Sequence, residues 1–274
     1  MDGGAVRRRV RPGDRQDGGA VLMVLEGTLL TSLYGFGLIL FRTAGLIVSG
    51  PVWSARFVPV RIRLAAALVI SFAIFSGAGM PRVPLPTSVL MLAGAAVAET
   101  AIGLCGGFAA RVVLDAATAA GHVAGLGMGM GYGALLDPFN GASSTVISQI
   151  YSIVAIGMGV AVGLHREALL WLTRSVAGWP PGTAEGLPSL LNAVVGHSLV
   201  CAALAVRLAF PVLAAVTFGH LGLGLIGRTA AQLNLASVGF SVAILAGGAA
   251  LYSSAPGAAE IAAREAIAFF ARSL

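Results

Sequence analysis

Glycine and methionine carry the most distinctive chemistry in this chain. In AGLGMGMGYGALLDP, residues 124–138, Gly125, Gly127, Gly129, Gly131 and Gly133 take every second position, with Met128, Met130 and Tyr132 between the later ones. Glycine enters left-handed backbone as readily as right-handed. Methionine is a flexible, polarisable filler of irregular gaps. The pair suits a soft closure and not a reaction. Two structures compete for the segment. Gly121, Gly125, Gly129 and Gly133 recur every four residues, a small-xxx-small strip on which a second helix could pack closely. Against that, each of the five alternating glycines costs about 0.8–1 kcal/mol relative to alanine in a helix. The alternative is an irregular loop at membrane depth, tolerated only when buried in protein or lining a water-filled path. The residues alone leave both open.

Ionisable side chains come next. Glu26, Arg42, Glu99, Arg111, Asp115, Asp137, Arg207 and Arg228 interrupt apolar sequence, and each is expensive in lipid unless it faces protein or water. A proton path concentrates acids and histidines, whereas these acids are single and scattered. They read as interhelical pairs or membrane-surface residues. His122, His165, His197 and His220 show no metal-binding spacing. Cys105 and Cys201 are small packing residues, too far apart in sequence to suggest a metal or disulfide framework. Ser143 in NGASST is faintly similar to the serine turn of intramembrane proteases, but Ser144 stands where that pattern needs glycine. No catalytic residue, cofactor or metal is expected.

The elements that must position these residues are apolar. Of 274 residues 57% are hydrophobic and 10% charged, with a mean hydropathy of +0.91; soluble domains carry about 25% charged residues. Charge-free runs such as 116–136, 138–165 and 229–259 reach the roughly 20 residues that cross a bilayer core. An all-α, multi-pass membrane protein follows. Apolar segments are expected at 20–41, 64–80, 87–110, 112–136, 145–164, 188–206, 208–227 and 235–252, with GWPPGTAEGLP as a polar connector. Residues 1–19, with five arginines, read as a disordered basic tail, 20–252 as one helical membrane domain, and 253–274 as a short amphipathic helix suited to an interface or a partner. No basic face is interleaved with exposed aromatics, so nucleic acid is not an expected ligand. Arginines flank most segments on both sides, and orientation stays open.

Four tracts together resemble one family. FRTAGLIVSGPVWSARFVPVRIR carries Arg42, Gly45, Pro51, Pro59 and Arg61; ETAIGLCGGFAAR carries Glu99, Gly103, Gly107 and Arg111. AGHVAGLGMGMGYGALLDP is similar to an AGxxxGxxMGxxxxxxxDP pattern ending in Asp137 and Pro138. GRTAAQLNLASVGF carries Arg228, Gln232, Asn234, Gly239 and Phe240. In order and spacing, over residues 22–250, they resemble the FliR family of flagellar export-gate proteins and its SctT relatives in virulence type III secretion. His122, Ala231 and the Ser241–Ala243 stretch depart from the family pattern.

The resemblance implies a multi-pass inner-membrane subunit of the flagellar basal body, with helical hairpins packed in a hetero-oligomeric export gate. It implies FliP-like and FliQ-like partners, an FlhB-like export switch, surrounding lipid and unfolded flagellar proteins as cargo. Gly125, Gly127, Met128, Gly129, Met130, Gly131, Tyr132 and Gly133 would form the plug of the conduit. The alternatives are an SctT-like virulence subunit or a small-solute transporter.

Overall fold

The computed structural model describes residues 13–54, 58–131, 145–229 and 235–273. They form helices α1 (Gly13–Ser49), α2 (Val60–Gly77), α3 (Val89–Gly127), α4 (Val146–Val162), α5 (Leu164–Gly178), α6 (Leu187–Thr229) and α7 (Leu235–Arg272), and no strand occurs among the described residues. The protein is all-α and multi-pass: five helices are long and apolar enough to cross a membrane, and a sixth span results if α4 and α5, bent by 60° at their junction, count as one. That bend falls at Gly163, whose φ of +91° is a left-handed conformation that a side chain would strain.

Side-chain hydroxyls account for two of the helix starts. Ser88 caps α3 by accepting the Met91 N–H at 3.2 Å, and Thr145 caps α4 by accepting the Ser148 N–H at 3.2 Å. Each hydroxyl satisfies a donor that the first turn leaves without a helical partner.

Helix α3 is central and packs against α1, α4, α6 and α7. Glycines set how closely α1 crosses it. A Cβ on Gly45 would stand 2.5 Å from the Thr100 carbonyl oxygen, and one on Gly107 would stand 2.7 Å from the Leu46 carbonyl oxygen. A Cβ on Gly103 would strike the Arg42 carbonyl. The two backbones touch, as small-residue interfaces allow.

Three expected breaks are absent. Helix α3 runs through Arg111, which pairs with Asp115 one turn on, on the exposed face at 3.4 Å; a charge so placed does not interrupt a helix. Helix α6 runs through the exposed Arg207 and through Pro211. Helix α7 runs through Pro256 to Arg272, joining the segments expected at 235–252 and 253–274. A buried stripe of Ala258, Ala259, Ala262, Ala266, Phe269 and Phe270 holds it to the core beyond the proline. That stripe packs within the chain itself: Phe269 stacks on His197 of α6 at 4.8 Å and Phe270 on Trp171 of α5 at 5.8 Å. At the other terminus α1 begins at Gly13, inside the stretch expected as tail.

Candidate functional site

Both ends of α3 carry polar or conformational specificity. Towards its N-terminal end lies a buried ion pair. Arg42 of α1 donates through Nε to Glu99 Oε2 at 2.5 Å, and both side chains are wholly buried. Arg42 Nη1 also donates to Ser175 Oγ of α5 at 3.3 Å, and Nη2 to the Trp179 carbonyl at 3.1 Å. Glu99 Oε1 accepts the Gly182 N–H at 2.8 Å. Gly182 has a φ of +91°, which turns that N–H inward at a position where a Cβ would be strained. Both carboxylate oxygens are thus engaged, and the pair ties α1, α3, α5 and the α5–α6 connector together. Chemically it is a clamp: a charge buried with a partner and extra hydrogen bonds is held, whereas one left alone is costly.

Beside the clamp, Trp171 lies wholly buried over Gly106, where an added Cβ would run into its ring. Its Nε1 donates to Ser273 Oγ at 2.9 Å, securing the end of the chain to α5. Pro51 opens the turn after α1 and lines a small apolar recess with Leu46, Trp53 and Phe270. Arg111 points away from these groups, on the exposed face with Asp115.

The C-terminal end of α3 is the glycine-rich segment. Its first part is helical to Gly127, so the loop expected from residue 124 begins a few residues later. The reason is close packing on the start of α4. A Cβ on Gly121 would stand 2.8 Å from the Ser148 Cα, and one on Gly125 would stand 2.6 Å from Thr145 Oγ1. The small-residue strip therefore operates at Gly121 and Gly125, flanked by the fully buried Ala120 and Ala124. Then the helix stops. Gly129 has a φ of +81°; its N–H bonds the Leu126 carbonyl at 3.0 Å, and the Met130 N–H bonds the Gly125 carbonyl at 2.9 Å. This is a Schellman closure with glycine at its left-handed position.

Around the stop, the side chains divide. Leu126 is exposed, Met130 half-buried and Met128 buried, with 1% of its surface accessible. Gly127 faces Leu213 of α6, and Met128 sits against Gly247 of α7. Gly131 closes back on the Leu126 side chain. Tyr132, Gly133, Asp137, Pro138, Ser143, Ser144, Gln232 and Asn234 lie outside the described residues, as does the side chain of Arg228 in the last turn of α6. Among the described residues no three His, Cys, Asp or Glu side chains gather as a metal site.

Several contributors escaped the sequence reading: Gly106, Ser175, Trp179, Gly182 and Gly247. Trp179 and Gly182 act through backbone groups that other residues also carry, although the GWPPG turn marks where they stand and a φ of +91° favours glycine at 182.

The sequence has counterparts among known proteins. Residues 33–267 match the model of the family described as bacterial export proteins, family 1. The chain is similar to the flagellar biosynthetic protein FliR of Escherichia coli (strain K12), 28% identical over 211 residues, covering 76% of this chain and 79% of that protein. It is 25% identical over 217 residues to the protein of the same name from Pectobacterium carotovorum subsp. carotovorum, covering 75% and 78% of the two chains. To that of Caulobacter vibrioides it is 24% identical over 229 residues, covering 84% and 91%. With the family match running from within α1 to within α7, across both the clamp and the glycine stop, the chain belongs to family 1 of the bacterial export proteins.

Proposed function

We propose that this chain is a subunit of the flagellar type III protein export gate in the bacterial inner membrane. It contributes to the conduit through which unfolded flagellar proteins cross the inner membrane, and the glycine-rich stretch from Gly125 to Gly133 acts as its plug. The carrying observation is the family match over residues 33–267, joined by relatives named for flagellar biosynthesis. The role is transport, with no chemical step assigned to any side chain. FliP-like and FliQ-like subunits are its partners in this reading, together with an FlhB-like switch.

The geometry gives the plug a physical basis. A helix that must deliver a movable segment needs a firm stem and a defined end. Glu99 anchors the stem to Arg42, and Gly129 ends it in a conformation most residues resist. Gly127, Gly129 and Gly131 then allow rearrangement with little steric resistance. Replacing these three by alanine is expected to reduce secretion of flagellar subunits or alter ion leakage. Unchanged motility together with unchanged ion permeability removes the plug from the mechanism. Co-purification with FliP-like and FliQ-like proteins tests membership of the gate separately. Solute uptake by the purified chain in liposomes would favour a transporter instead.

A further inference from the structure

Met128 is both the residue that ends α3 and one of the most completely buried large side chains. Its burial depends on an absence. Gly247, itself buried on α7, offers a notch: a Cβ there would stand 2.8 Å from Met128 Cγ and 3.0 Å from Sδ, and would strike Cε. Real side chains do not approach so closely, and Cγ is not the free end of the methionine, so a swing of its tip does not relieve the conflict. Next to it Gly248 is different, because a Cβ at that position meets nothing within 4 Å. One glycine of the pair is a seat and the other is not.

We infer that the Met128 side chain seated in the Gly247 notch is the latch that holds the glycine-rich plug closed, and that export requires Met128 to leave it. The inference rests on the plug reading and adds to it the partner that sets the closed state. Three features suit Met128 to the task. It stands at the helix end, directly before the closing hydrogen bonds of Gly129 and Met130. Its thioether side chain has three rotatable bonds and repacks readily. Its neighbour Gly127 has no side chain to hold it, and a Cβ there would stand 2.9 Å from the Leu213 side chain of α6. The notch is made by a helix 119 positions further along the chain, so seating couples the end of α3 to α7.

The test is a reversible bond across the seat. In an export-competent strain, Met128→Cys and Gly247→Cys are combined with Cys105→Ala and Cys201→Ala. The Met128 Cγ position, where a cysteine sulfur would stand, is within the reach of a disulfide from residue 247. In the assembled gate an oxidant should cross-link the pair at rest and abolish secretion in proportion to the linked fraction, with full recovery in reductant. No cross-link in the resting gate, or continued export through a cross-linked one, overturns the latch. Gly247→Val and Gly248→Val provide a second arm that does not depend on the cysteines. Ion leakage should rise about tenfold, as a loss of 1.4 kcal/mol in closed-state preference gives, for Gly247→Val alone. Equal leakage from both variants overturns the latch. A silent Gly127, Gly129 and Gly131 alanine variant would instead remove the plug reading, whatever the cross-link does.

Discussion

Removing one partner of the Arg42–Glu99 clamp should destabilise the protein more than removing both. Glu99→Leu leaves a guanidinium buried with only the Ser175 hydroxyl and the Trp179 carbonyl for company. Arg42→Leu leaves a carboxylate whose nearest support is the Gly182 N–H. An uncompensated buried charge costs about 3–5 kcal/mol, a factor of roughly 10² to more than 10³ in the folding equilibrium. In the double variant no charge remains. What persists is the orphaned Gly182 N–H and Trp179 carbonyl, which cost about 1 kcal/mol each in a part-buried setting, and the vacated volume is refilled in part by two leucines. The double variant should therefore lose only about 2–3 kcal/mol, less than either single one. Heating the purified protein in detergent and measuring the monodisperse fraction retained by size exclusion gives the ranking, and the four-member cycle gives the coupling. Additive losses, with the double variant the worst of the set, would refute the clamp as a coupled pair. They would mean that each side chain acts through its own packing.

Two further substitutions probe other supports. Gly103→Ala places a methyl against the Arg42 backbone carbonyl and should separate α1 from α3, abolishing stable accumulation in the membrane, whereas Gly94→Ala, where a Cβ meets nothing within 4 Å, should accumulate normally; immunoblots of membrane fractions compare the two. Trp171→Phe deletes the hydrogen bond to Ser273 and part of the ring over Gly106 and should cost about 1–2 kcal/mol of thermal stability. Trp171→Ala should cost about 3–5 kcal/mol, and a near-neutral alanine variant would show that the C-terminal end of α7 does not depend on this anchor.

What could be read from residue order was what lipid permits least. Arg42 and Glu99 stand in apolar tracts, where a lone charge is hard to sustain, and interhelical pairing was the natural expectation; the structure joins them. Which helices and backbone groups complete the clamp was not legible, because the Gly182 N–H and the Trp179 carbonyl are present in every peptide unit. The breaks expected near Arg111 and Arg207 reflect a different difficulty. A charge on the exposed face of a long helix and a charge at a segment end look alike in a hydropathy trace, and only the pairing of Arg111 with Asp115 separates them. The glycine segment proved mixed. Four-residue spacing described Gly121 and Gly125, and alternation suggested a loop, but where one yields to the other is set by Thr145 and Ser148 of a helix some twenty residues onward. Gly247 was invisible for a simpler reason: it is one of 38 glycines, and only its position opposite Met128 distinguishes it from Gly248.

Helix length constrains what surrounds the protein. Helix α3 has 39 residues, α6 has 43 and α7 has 38. At 1.5 Å per residue a straight helix of 39 residues is about 58 Å long, roughly twice the ~30 Å hydrocarbon core. Fitting that length within the core by tilt alone needs an inclination of nearly 60°, beyond the 0–40° range of membrane helices. Long helices of this kind, where straight, therefore project past the hydrocarbon. Their apolar surface does not stop at a bilayer's width: on α3, Val89, Leu90 and Met91 near one end and Val123 and Leu126 near the other are all exposed in the isolated chain. On α6 the same holds from Leu191 and Val195 to Leu225 and Ile226. Lipid cannot cover both ends of such a helix at once, and water covers apolar surface of that extent only at a large cost in free energy. The end outside the hydrocarbon is then best covered by other protein. A chain with this distribution of apolar surface is built to be enclosed by neighbours, as a subunit of a membrane-associated conduit would be.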